Sequence, residues 1–139
     1  MPSSLLEWSV CSLLSLLLLS AGVPAMQHST AQLEARALGL RGLSLLQAYQ
    51  ARAQAQQRHI EIPLTAIKHA LKTDGWQFTS NFNDHSRPLT FYAPQGYARA
   101  GHLSMHKGKF ELRWIVSAIG RIRYCSAGDV EIMGITSCV

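Results

Sequence analysis

One stretch decides most of what this chain can become. From Trp8 to Leu33 there is no Asp, Glu, Lys or Arg, and the run Leu13, Leu14, Leu16, Leu17, Leu18, Leu19 lies at its centre. A chain of 139 residues has room for one domain, and its first 25 residues are too apolar to belong to a soluble core. About 20 apolar residues in helical form span the hydrocarbon of a bilayer, so the first expectation is a membrane helix. The competing reading is a cleaved secretory signal, with Val23, Pro24, Ala25 as its small-residue site. Residues 1–7 argue against it, because they hold no Lys or Arg and do hold an acid, Glu7, where a signal's leader is basic. A carboxylate at that place needs either a partner or a position near the headgroups.

Beyond Pro24 the pattern stays helical. Leu33, Ala37, Leu40, Leu43 and Leu46 recur at three- and four-residue steps, which predicts an amphipathic continuation to about Arg58. At about 1.5 Å per residue the rod from Leu5 would be about 80 Å long. Pro24 removes one backbone bond and is expected to kink it, with Ser20 near enough to help satisfy the freed carbonyl, and Gly39 and Gly42 loosen it further.

After Arg58 the period changes to two. Ile60, Ile62, Leu64 and Ala66 alternate as in a strand, with Pro63 pointing to an edge. A short helical turn around Ile67 to Lys72 ends at the turn signal Asp74-Gly75. Further strands are expected at Trp76–Phe82, Leu89–Ala93, His102–His106, Phe110–Ser117 and Arg121–Cys125. The fold class is therefore α+β, divided into residues 1–25 (membrane segment), 26–59 (amphipathic helix) and 60–139 (a head of mostly antiparallel sheet).

The chain carries 13 Lys and Arg against eight acids, one of which is Glu7, so the part outside the apolar segment is strongly basic and suits anionic partners. Between Arg99 and Cys125 the positive charges Arg99, Lys107, Lys109, Arg113, Arg121 and Arg123 face one acid, Glu111. In Phe110–Ser117, alternation puts Phe110, Leu112, Trp114 and Val116 on the core face and Glu111 and Arg113 outward. With Ile122 and Tyr124 inward, Arg121 and Arg123 project together beside Gly120. Two parallel guanidinium forks next to a glycine turn suit a phosphate backbone. The plainer alternative is a hairpin glycine with two solvated arginines, or arginines paired with Asp129 and Glu131.

Cys125 and Cys138 can pair, and in an oxidising compartment such a bridge would stabilise the head by about 3 kcal/mol. The alternative is two reduced, buried thiols. Their spacing gives no zinc site, and His102 and His106, four apart in a strand-and-loop segment, give no metal site either. No nucleophile elbow, oriented base or glycine-rich phosphate loop is present, so neither an enzyme nor a cofactor is expected. Trp76, Phe78, Phe82, Phe91 and Tyr92 fall at strand positions and read as core rather than as a base-stacking platform.

The arrangement resembles the type IV pilin family: an apolar helix opening with a lone Glu, a Pro partway along, an amphipathic extension and a small β head. Ser4-Leu5-Leu6-Glu7 looks like the pilin opening, which makes Ser3 the counterpart of the first mature residue. The head resembles the GspH/FimT branch of minor pilins in Ala51-Arg52-Ala53-Gln54, in Gly75-Trp76, in Leu89-Thr90-Phe91-Tyr92-Ala93-Pro94-Gln95-Gly96, and in Trp114-Ile115-Val116-Ser117 followed by Gly120-Arg121-Ile122-Arg123-Tyr124-Cys125. One departure is Pro2, where the family has the glycine after which its peptidase cuts.

The resemblance implies the pilin fold and a single-pass protein of the bacterial inner membrane, with a periplasmic head, that is assembled with other pilin subunits into a pilus. It gives Glu7 the role of pairing with the N-terminal amine of a neighbouring subunit. It also implies that Gly120, Arg121 and Arg123, matching the Gly-Arg-x-Arg motif of the branch, bind DNA during natural transformation, with Lys107, Lys109 and Arg113 in support. A structural minor pilin or type II secretion pseudopilin without DNA binding is the alternative, and a secreted basic β domain is the second.

Overall fold

Leu, Ala, Gln and Arg, which predominate early in the chain, favour helix, and the computed structural model, which describes residues 3–139, holds a helix, α1, over Ser3–Gln56. Pro2 lies outside the described residues. The chain forms two compact units, Met1–Glu34 and Ala35–Val139. In the first, the side chains of Leu13, Leu14, Leu16, Leu17, Leu18 and Leu19 are all exposed. By length and composition this helix is able to cross a membrane. Its hydroxyls are turned onto its own backbone: Ser12 Oγ donates to the Trp8 carbonyl and Ser15 Oγ to that of Cys11, both at 2.8 Å. Together with Ser9 and Ser20, these serines match their hydroxyl donors within the helix, as an apolar surrounding would require. The helix assignment runs unbroken through Pro24. Ser20 does not act as expected: its Oγ donates to the Leu17 carbonyl at 2.9 Å rather than serving the carbonyl that Pro24 frees.

The second unit begins at Ala35 rather than at residue 60, because the later part of α1 supplies one wall of its core. The buried face of that part coincides with the predicted leucine stripe only at its end, in Leu46 and the half-buried Leu43. Ala35, Leu38, Gly39, Gly42, Leu46 and Ala53 are buried, whereas Leu33, Ala37 and Leu40 are exposed. The reason lies in the partner side chains. A Cβ on Gly42 would collide with the Trp114 indole, and one on Gly39 would sit 2.9 Å from the Tyr124 ring. Two large rings need two small residues opposite them, and Trp114 Nε1 donates to the Gly39 carbonyl at 3.0 Å. The two glycines therefore provide close packing rather than looseness.

The chain leaves α1 through Gln57 in the left-handed region (φ 51°). Seven short strands follow. β1 (Ile60–Ile62) stops at Pro63, which instead caps a helix, α2 (Leu64–Ala70), so the expected strand at Leu64 and Ala66 is replaced, and the expected helical turn at Ile67–Lys72 is present but starts three residues earlier and ends at Ala70. A proline at a helix start loses nothing, since the N–H it lacks would have had no partner. The Leu64 N–H is met by Asp84 Oδ1 at 2.9 Å.

β2 (Gln77–Ser80), β3 (Leu89–Tyr92), β5 (Gly101–Lys107), β6 (Phe110–Val116) and β7 (Ile122–Ser126) fall within a residue or two of their predicted places, and β4 (Tyr97–Ala98) is additional. They make two antiparallel sheets, β1-β3-β4 and β2-β5-β6-β7. Trp114, Phe91, Leu103, Leu112 and Val116 fill the core with the buried face of α1. The protein is α+β, a long N-terminal helix with two small antiparallel sheets, an arrangement consistent with a pilin-like fold.

Candidate nucleic-acid interface

The four-stranded sheet turns one face to the core and the other outward, and register decides which side chains share the outer face. On β6, Leu112, Trp114 and Val116 are buried, so Glu111, Arg113 and Ile115 point the other way. Phe110, predicted inward, is half-buried and packs at the margin of the core. Ile115 stands opposite His102 on β5 and Arg123 on β7. These three form a row across three strands, about 10 Å wide at about 4.8 Å per strand.

Arg121 and Arg123 are both exposed, while Ile122 and Tyr124 between and beyond them pack on the core, as alternation predicted. The turn that brings the arginines to this end of β7 is tightly built. The Gly120 N–H donates to the Ser117 carbonyl at 2.9 Å, and the Arg121 N–H to Ser117 Oγ at 3.0 Å. Gly120 has φ +82°, and a Cβ there would strike the Gly96 carbonyl oxygen, so the position demands glycine twice over. From α1, Gln50 Nε2 donates to the carbonyls of Gly96 at 2.8 Å and Gly120 at 2.7 Å, fastening two loops to the helix.

Arg121 and Arg123 line an open depression of about 250 Å³ together with Ile115, Ser117 and Ile119. A second depression, about 500 Å³, shares Ile115 and Ser117 and is also lined by Arg87, His102 and Arg113. Among the described residues, no carboxylate lines either one. Neither Arg121 nor Arg123 has a side-chain hydrogen bond or ion pair among the described residues, so of the plainer alternative's two forms the pairing with Asp129 or Glu131 is not formed, and both arginines are solvated. Arg113 is held at 2.7 Å by Glu111, with its Nε on Ser104 Oγ at 3.3 Å.

The two lysines are placed elsewhere. Lys107 and Lys109 flank Gly108 at the β5–β6 turn, a full strand away from Arg121, about 20 Å at about 3.4 Å per residue. Chain proximity suggested one basic cluster, but a hairpin sends neighbours in sequence to opposite ends of a sheet. Lys107 lies instead beside Gly75, near a depression of about 640 Å³ lined by Lys68, His69, Lys72 and Trp76. In their stead the fold adds Arg87 and His102. Arg87 has no periodic signal, since only the closure of the loop before β3 onto Ala100 brings it near, its Nη2 donating to that carbonyl at 2.8 Å.

Cys125 and Cys138 are disulfide-bonded, with Cα atoms 5.1 Å apart. Cys138 also donates its N–H to the Ser126 carbonyl at 2.8 Å, so the C-terminal segment is tied alongside β7. Glu7 lies exposed in the apolar unit. Compared with protein-family models, with curated proteins and with solved structures, the chain matches none.

Proposed function

We propose that this chain is a minor pilin of the GspH/FimT kind, anchored in the bacterial inner membrane by α1, that binds DNA through Gly120, Arg121 and Arg123 during natural transformation. The observation that carries the reading is the paired, exposed Arg121 and Arg123 beside a turn that only glycine can make, in a depression without a carboxylate. Two guanidinium forks on one strand can each take phosphate oxygens, and the glycine lets a backbone approach. Binding of this kind is backbone-led, salt-sensitive and largely independent of base sequence. On this reading the head is periplasmic, consistent with its disulfide, and Glu7 pairs with the terminal amine of the adjacent subunit during assembly with other pilins.

The test uses the full chain in neutral detergent and a fluorescent duplex oligonucleotide, beside the double variant Arg121→Ala, Arg123→Ala. Affinity at about 100 mM salt is expected to fall at least tenfold in the variant. Equal binding would reject the assigned site. Absence of binding by both proteins at about 50 mM salt would favour the structural alternative, a minor pilin or secretion pseudopilin that contacts only other subunits.

A further inference from the structure

The arginine pair occupies one end of a longer feature. Its depression shares Ile115 and Ser117 with a second one, which is also lined by Arg87, His102 and Arg113. His102, Ile115 and Arg123 stand in one cross-strand row, so the two ends lie about 10 Å apart, about three phosphates of axial rise along one strand.

The floor between them is apolar Ile115 and a serine hydroxyl, which offers no anion to repel a passing backbone. Resting on the reading of Arg121 and Arg123 as a DNA site, we infer that Arg87, His102 and Arg113 form a second phosphodiester subsite, and that its occupancy is tightened by protonation of His102.

The geometry of each member supports this. Arg87 spends one donor on the Ala100 carbonyl, which fixes the guanidinium at the rim while leaving further N–H groups of its five. Arg113 is braced by Glu111 and Ser104 on the outer face of β6. His102 has its main chain clamped by the Asn81 side chain, whose Oδ1 accepts the His102 N–H at 2.7 Å. The charged groups acting on its imidazole are Arg113 and Glu111 from β6 and Arg87 from the loop before β3, while its β2-side neighbours Ser80 and Asn81 are uncharged.

Burial comes first and Arg113 second in holding His102 below its ordinary value, with Arg87 adding to the effect and Glu111 opposing it. In the free protein at neutral pH the ring is thus uncharged. A phosphate lying between Arg87 and Arg113 would offset the arginines' part of that effect and set a negative charge beside the ring, so binding would favour uptake of a proton.

The experiment measures duplex affinity of the full chain in detergent across about 50–200 mM salt, at pH 7.5 and 5.5. Arg87, Arg121 and Arg123, whose charges are not already met by a carboxylate as that of Arg113 is by Glu111, predict a log–log salt slope of about −2.7 at pH 7.5, reduced by about 0.9 in Arg87→Ala. From pH 7.5 to 5.5 the wild type is expected to gain about fivefold, and His102→Gln is expected to lose most of that gain. Wild-type slope and affinity in Arg87→Ala, while Arg121→Ala, Arg123→Ala is impaired, would overturn the subsite and leave the arginine pair standing. A pH response equal in wild type and His102→Gln would overturn the protonation step. If the wild type itself fails to bind at about 50 mM salt, the DNA reading and the subsite fall together.

Discussion

A single methyl group is enough to test how α1 meets the sheet. Gly42 lies against the Trp114 indole with no space for a Cβ, and Trp114 is fully buried and fastened to the Gly39 carbonyl. Gly42→Ala would raise helix propensity yet force the indole away, and overpacking of this kind costs about 1–3 kcal/mol. A lowered urea midpoint is the expected result, and an unchanged or higher midpoint would mean that the helix yields instead. His102 sets a second residue-scale expectation. Its pKa in the fold is below 6.5, so below that value the unfolded chain binds more protons than the folded one. Its contribution therefore lowers stability as pH falls from 6.5 towards the folded value. Urea midpoints at pH 7.5 and 5.5 should show a drop that is smaller in His102→Gln.

At the scale of elements, the arginine turn belongs as much to α1 as to β7. Gln50 reaches from the helix to the Gly96 and Gly120 carbonyls, and Gln54 Nε2 adds a longer contact to the Gln95 carbonyl at 3.3 Å. Gln50→Leu keeps the helix but leaves two carbonyls without this donor, a loss of about 1–3 kcal/mol. The variant is expected to fold, with a lower urea midpoint and weaker DNA binding than wild type at equal salt. Undiminished binding would show that the Ser117 hydrogen bonds suffice to hold the turn. The same interdependence explains why the strands were readable and the helix face was not. β5, β6 and β7 follow from alternation within a few residues of sequence, whereas the buried side of α1 depends on which rings the distant sheet presents.

For the molecule as a whole, the two units answer to different solvents. The first exposes its leucines and is expected to remove the protein from solution into membranes, so the full chain should resist alkaline carbonate extraction and be released by detergent. The second closes its C-terminal segment with the Cys125–Cys138 bridge across a separation of 13 residues. Replacing both cysteines by alanine is expected to lower stability by about 3 kcal/mol, read as a fall in the urea midpoint. A midpoint unmoved by the change would show that the backbone bonds of Ser126 to Thr136 and Cys138 already hold the segment.

The sequence by itself determined the apolar helix with its lone Glu7, the α+β class, the places of most strands and the outward pairing of Arg121 and Arg123. Each of these depends on local composition or on a period of two or 3.6, which a chain carries wherever it goes. Only the tertiary structure decided that Gly39 and Gly42 face Trp114 and Tyr124, that Pro63 starts a helix, that Lys107 and Lys109 leave the arginine cluster, and that Arg87 and His102 join it. Those outcomes depend on which segments pack together. A hairpin reverses direction and a loop closes on a distant strand, so separation along the chain ceases to measure distance in space.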